Sequence, residues 1–141
     1  MKRQALLRII DANANRALEG ARVSEEIVRF ALASPRHFRQ MRALRHAIAG
    51  AVRRLPLHPA ELVASRGGGR DVGRRAPAGP VGSLERLLLI NFQRTKESLR
   101  TLEECARLIA PVHTRAFQRL RFRTYEVERA LLTRLAALRH H

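Results

Sequence analysis

Residues 11–29 read DANANRALEGARVSEEIVR, and residues 89–107 read LINFQRTKESLRTLEECAR. Seven polar residues of the first stretch are Asn13, Arg16, Glu19, Arg22, Glu25, Glu26 and Arg29. They recur in the second as Asn91, Arg94, Glu97, Arg100, Glu103, Glu104 and Arg107, always 78 positions on. Chance alignment of two arginine-rich helices would reproduce some of these matches, but hardly all seven in one register. The chain therefore reads as two copies of a helical unit, and such a repeat sets the architecture before any local assignment. The repeated polar residues should meet around a shared site.

Working outward, apolar residues at helical spacing (Leu6, Ile10, Ala17, Ala21, Val28) predict a helix from about Arg3 to Leu32. It should stop near Ser34-Pro35, where Ser34 caps and Pro35 opens a second helix to about Leu55. Phe38, Met41, Leu44, Ile48, Val52 and Leu55 form its stripe. Pro56 and Pro59 close it, and Pro59 can start a short helix, Ala60 to Ala64. Glycine and proline then concentrate between Ser65 and Gly82, the one long loop, and loops of that length are usually functional or disordered. Ser83 caps a third helix, about Leu84 to Ile109, ended by Pro111. A fourth runs from about His113 to Leu138, with Phe117, Leu120, Val127, Leu131, Leu135 and Leu138 inward. Nothing alternates like a strand. The expected fold is all-α: a four-helix bundle-like domain, repeat 1 over about 3–55 and repeat 2 over about 83–138, joined by the glycine-rich segment 56–82.

The bulk composition suits one soluble domain. At 141 residues the chain is long enough for a sizeable core, and 45% of it is apolar. Its single cysteine, Cys105, rules out an internal disulfide and fits a reducing cytoplasm. No apolar run approaches a membrane span, and Met1-Lys2-Arg3-Gln4 lacks a signal-peptide core, so a cytoplasmic protein with no membrane partner is expected. The formal charge of +16 invites a nucleic-acid partner. Against it, aromatics are 4% of the chain, too few for base stacking, and the basic residues are nearly all arginine, as GC-rich codon usage alone produces. An anionic small molecule, above all a phosphate ester, uses the same arginines.

On a helical wheel, Glu19, Arg22, Glu26 and Arg29 fall on a solvated face as i,i+3 and i,i+4 partners, with Gln4, Arg8, Asp11 and Asn15 near them. Asn13 falls within the apolar arc and Arg16 just inside its edge, and Asn91 and Arg94 repeat those positions. A buried guanidinium needs a carboxylate or a bound anion, because burying it unpaired costs several kcal/mol. Two outcomes are open: an internal network using Glu25 and Glu103, or a ligand pocket lined by Asn13, Arg16, Asn91 and Arg94. Arg45 flanks the second helix's stripe, and Arg121 and Tyr125 share one side of the fourth. The loop Ser65-Arg66-Gly67-Gly68-Gly69-Arg70-Asp71-Val72-Gly73 offers bare backbone N–H groups, two guanidiniums and one carboxylate, suited to wrapping phosphates with Asp71 near a magnesium ion. It is not a Walker A loop, because the Gly-Lys-Ser/Thr ending is missing. No His-x-x-x-His metal pair, dinucleotide fingerprint or Ser–His–Asp arrangement stands out. His140 and His141 read as a tail.

The run from Arg8 to Arg22, with its Asp-x-Asn-x-Asn-Arg-x-x-Glu-Gly pattern, resembles the opening of a small all-helical family of thiamin biosynthesis. Later pieces agree: Leu44-Arg45-His46, Ser65-Arg66, Asp71-Val72-Gly73, Asn91-Phe92-Gln93-Arg94, Leu102-Glu103-Glu104 and Leu120-Arg121-Phe122-Arg123 with Tyr125. The chain thus resembles monofunctional hydroxymethylpyrimidine-phosphate kinases, found standalone or fused ahead of thiamin-phosphate synthase. The glycine run 67–69 departs from that family's loop. The resemblance implies transfer of the ATP γ-phosphoryl group to hydroxymethylpyrimidine phosphate, in a standalone form, with magnesium, ATP as co-substrate and a functional link to the synthase. Phosphoryl transfer needs positioning and charge neutralisation more than a nucleophile from the protein, which from the residues themselves favours Arg16 and Arg94 on phosphate oxygens, Asn13 and Asn91 orienting substrate or metal, and Asp71 or Glu103 near magnesium. Arg45, Arg66 and Arg121, with Tyr125, would complete the substrate cradle. Two other functions stay open: a non-catalytic accessory domain of the same pathway, and an arginine-rich helical nucleic-acid binder. An exposed apolar seam would favour a homodimer.

Overall fold

The computed structural model describes residues 3–67, 71–73 and 78–139. Among these described residues five α-helices follow in order: α1 (Arg3–Ile27), α2 (Pro35–Arg53), α3 (Pro59–Ala64), α4 (Leu84–Ile109) and α5 (Thr114–Arg139). No strand occurs among the described residues. The fold is the expected all-α bundle of two hairpins, α1–α2 and α4–α5, with the short α3 against α1. Gly68, Gly69 and Arg70 of the expected phosphate loop, positions 74–77 and the tail His140-His141 lie outside the described residues.

The ends of the helices follow from local chemistry. The Ser34 hydroxyl accepts the His37 N–H at 3.4 Å, and the Ser83 hydroxyl accepts the Arg86 N–H at 3.1 Å, so each hairpin has a serine cap. The helix expected to reach Leu32 instead ends α-helical pairing at Ile27 and widens into a π-turn, Val28–Leu32. Ala33 closes that turn, donating its N–H to the Val28 carbonyl at 2.9 Å from a left-handed φ of 52°. Pro35 explains the abrupt exit, since proline forces the preceding residue to be extended, and Ser34 has ψ 111°.

α1 and α4 make the central contact. The Thr95 hydroxyl donates to the Ala17 carbonyl at 3.1 Å, and these two residues stand one repeat apart. A pseudo-twofold axis therefore passes between them. Gly20 approaches Thr95 and Asn91, while Asn13 shares a cleft with Ser98, so the two helices run antiparallel across that axis. The outer helices obey the same symmetry. Met41, Leu44, Ile48, Ala51 and Leu55 are all buried, and the buried Phe117, Leu120, Thr124, Val127 and Leu131 follow them by 76 positions each.

Close approach at the axis depends on Gly20. A Cβ there would lie 2.6 Å from Thr95 Oγ1 and 2.8 Å from the Asn91 carbonyl oxygen, and the latter, being backbone, cannot swing away. Gly20→Ala gains about 1 kcal/mol of helix propensity. Forcing apart two packed helices costs about 1–3 kcal/mol and outweighs it. The expected result is a lower urea midpoint with unchanged slope; a raised midpoint would mean the helices sit farther apart than described.

A cleft on the pseudo-twofold axis as candidate active site

Where α1 and α4 diverge from the axis they leave a cleft of about 500 Å³, lined by Asn13 and Arg16 from one repeat and Arg94, Glu97, Ser98 and Thr101 from the other. Every lining side chain is polar. Asn13 and Asn91 are buried, as expected, and bond alike: Asn13 Nδ2 donates to the Ile9 carbonyl at 2.8 Å, Asn91 Nδ2 to the Leu87 carbonyl at 2.9 Å. Asn13 lines the cleft, whereas Asn91 does not and instead packs with its backbone carbonyl against Gly20.

Arg16 and Arg94 differ from their expected setting. Both are exposed rather than buried at the core edge, and neither makes an ion pair among the described residues. The wheel placed Arg16 inside the apolar arc; the α1–α4 crossing at Ala17 instead leaves both guanidiniums on the open lip of the cleft. The internal network forms without them. Arg45 Nε donates to Glu25 at 3.0 Å, and Arg121 Nε to Glu103 at 3.1 Å, joining each inner helix to its outer partner.

Two further clefts flank the axial one. On the α1 side a cleft of about 810 Å³ is lined by Arg8, Asp11, Ala12, Asn15 and Glu19, closed by Arg66, Gly67 and Asp71. On the α4 side one of about 650 Å³ is lined by Arg86, Leu89, Ile90, Gln93 and Glu97, closed by Lys96, Glu128 and Leu132, and shares Arg94 with the axial cleft. The first five residues of each are related by the 78-residue repeat. The flanks are duplicates that have diverged.

The family model that matches the chain covers residues 8–130 and is described as the ThiD2 family. The chain belongs to the ThiD2 family. Among curated relatives, this ThiD2 chain is 38% identical over 131 residues to a thiamine-phosphate synthase of Synechocystis, covering 91% of the chain and 36% of the relative. A thiamine-phosphate synthase of Gloeobacter violaceus is 35% identical over 147 residues, 99% of the chain and 41% of the relative. One of Rhodopirellula baltica is 33% identical over 138 residues, 96% and 36%. The chain thus spans little more than a third of the length of these relatives. No solved structure matches it.

Within this ThiD2 chain the remaining expected site residues part company. Arg45, Arg121 and Glu103 line none of the three clefts. Expected on substrate phosphate or metal, they are instead each other's or Glu25's partners, and a guanidinium already neutralised by a buried carboxylate has little charge to offer an anion. Arg66 is likewise committed, gripping Asp11 in a two-pronged pair at 2.7 and 3.0 Å. That bond raises the Arg66 pKa further above its ordinary value. It also buries Asp11, which the wheel put on the solvated face. Asp71 does line the α1 flank, its Oδ1 accepting the Gly73 N–H at 2.9 Å. Tyr125 lies beneath a cation: Lys96 Nζ sits 4.4 Å from its ring centre and 2.8 Å from Glu128 Oε1.

Lys96, Glu128 and Arg86 on the α4 flank and Arg8 on the α1 flank line clefts without being singled out as site residues by the sequence. Signals existed. Lys96 is one of only two lysines beside the many arginines, and Arg8 and Arg86 extend the 78-residue match upstream. Cys105 is buried, and desolvation together with Glu104 pushes its thiol pKa up, away from reactivity. Among the described residues no three His, Cys, Asp or Glu side chains converge as a metal site, and no helix is long and apolar enough to cross a membrane.

Proposed function

We propose that the chain transfers the γ-phosphoryl group of ATP to hydroxymethylpyrimidine phosphate, yielding the diphosphate and ADP, within thiamin biosynthesis. One observation supports this reading: two symmetry-related guanidiniums, neither of them in an ion pair among the described residues, line a single all-polar cleft beside Glu97. An anion on the axis is what such a pair binds best. The acceptor's own phosphate oxygen attacks the γ-phosphorus, the bond from that phosphorus to the β,γ-bridging oxygen breaks, and the electron pair leaves with ADP. A phosphate monoester is largely dianionic at neutral pH, its second pKa being about 6, so the nucleophile needs no protein base. What it needs is relief of repulsion between two phosphates, and phosphoryl transfer rests on positioning and charge neutralisation.

In this scheme Arg16 and Arg94 hold the transferring group from opposite sides. Asn13, braced by Ile9, lines the cleft and orients the acceptor, whereas Asn91, bonded to Leu87 and not lining it, keeps a packing role. Magnesium that travels with nucleotide phosphates requires only one or two protein carboxylates. Asp71 and Glu19, both lining the α1 flank and unpaired with cations among the described residues, fit that need better than Glu103. The ion would neutralise the polyphosphate charge there.

Relatives named as thiamine-phosphate synthases favour one further reading, a binding module that holds the pyrimidine phosphate without reacting it. Coupled ADP release separates the two. The kinase reading expects ADP only when hydroxymethylpyrimidine phosphate and magnesium-ATP are both present. Tight binding without ADP would establish the accessory module, and steeply salt-dependent binding to nucleic acid with no response to the pyrimidine would overturn both.

A further inference from the structure

We infer that the α4–α5 flank is a metal-independent subsite for a phosphorylated heteroaromatic ring, here the acceptor of the kinase reading, on which this identification rests. The internal repeat supplies its own control, because the α1 flank shows what the cleft looks like without the change. Arg8 and Arg86 correspond, as do Asn15 and Gln93, and Glu19 and Glu97. The departures are Asp11 to Leu89 and Ala12 to Ile90, with Leu132 added from α5. Together they build an apolar wall on one side of the cleft, as a planar ring requires.

Charge separates the flanks in the same sense. Among described lining residues the α1 flank sets Arg8 and Arg66 against Asp11, Glu19 and Asp71, an excess of one carboxylate. That environment accepts phosphates as a metal complex. The α4 flank sets Arg86, Arg94 and Lys96 against Glu97 and Glu128, an excess of one cation, which suits a bare monophosphate. Arg94 lines both this flank and the axial cleft, so a phosphate held here is delivered to the transfer site.

Lys96 and Glu128 complete the recognition. Both are nearly buried, at 10% and 13% side-chain exposure, and each is left with capacity to spare. The ammonium spends one donor on Glu128 and lies over the Tyr125 ring; Glu128 uses Oε1 and keeps its second oxygen as an acceptor. That oxygen suits an exocyclic ring amine. Gln93 adds an amide that can pair with ring nitrogens at the rim.

Titration calorimetry tests this with two probes used separately on the folded chain: hydroxymethylpyrimidine phosphate without metal, and magnesium-ATP. Leu89→Asp restores the counterpart residue and should weaken the pyrimidine phosphate roughly tenfold or more, leaving magnesium-ATP unchanged. Ile90→Ala, a truncation at a half-buried site, should do the same more mildly and guards against a folding failure of the first variant. Wild-type protein that binds the pyrimidine phosphate but releases no ADP would leave the subsite standing and remove the kinase reading. Weakening of magnesium-ATP instead, equal weakening of both, no change in either, or no pyrimidine-phosphate binding by the wild type would each overturn the subsite.

Discussion

Arg16→Ala and Arg94→Ala should each lower kcat/KM by about a thousandfold or more while leaving the helical CD spectrum and melting temperature where they are. The rate loss follows from the chemistry. Arginines that neutralise charge in a phosphoryl-transfer transition state typically contribute 10³–10⁵ in rate, roughly 4–7 kcal/mol. The stability result follows from the setting. Both side chains are exposed and neither is ion-paired among the described residues, so their removal breaks no ion pair there. Substitutions at such places usually shift stability by no more than about 0.5 kcal/mol. In a chain of net charge +16, losing one cation also eases self-repulsion. Steady-state ADP release and thermal melts on the same samples check both halves. A variant that melts early and keeps its specific activity would assign the guanidiniums a structural part.

Glu103→Ala should behave in the opposite way. Glu103 is 5% exposed and Arg121's side chain 13%, and the pair is held at 3.1 Å across α4 and α5. Removing the carboxylate leaves a nearly buried guanidinium uncompensated, which costs about 3–5 kcal/mol. For a chain of this size that corresponds to a fall in Tm of roughly 10 °C or more. Replacing both partners with apolar residues, as in Glu103→Leu with Arg121→Met, should restore much of it, because the penalty lies in the orphaned charge. The comparison also decides between roles for Glu103. A magnesium ligand would show a raised requirement for magnesium and an ordinary melt, whereas the pairing seen here predicts the early melt.

Much of this was legible in the residues. The stripes Met41-Leu44-Ile48 and Phe117-Leu120, the serine caps at 34 and 83, and the 78-residue repeat all act locally or by period, and they specified helices and hairpins. The repeat in the outer helices is hidden in the sequence because its offset is 76, not 78: Arg121 follows Arg45 by two positions fewer than Glu103 follows Glu25. The connection between the helices absorbs the difference. Three site features were illegible for a common reason, that a wheel treats a helix as if alone. Arg16 is exposed because α4 crosses at Ala17 and then diverges, Asp11 is buried because Arg66 arrives 55 residues later, and Lys96 finds Glu128 only once α5 folds back. None of these partners lies within a turn of the residue it governs.

The most direct measurement is a double-mutant cycle on kcat/KM for ADP release, using Arg16→Ala, Arg94→Ala and the two combined. If both guanidiniums grip one phosphoryl group on the axis, either single change disables the clamp and the double variant loses little beyond the worse single. Losses that multiply, each arginine subtracting its full share regardless of the other, would mean two separate sites and no shared anion between the repeats.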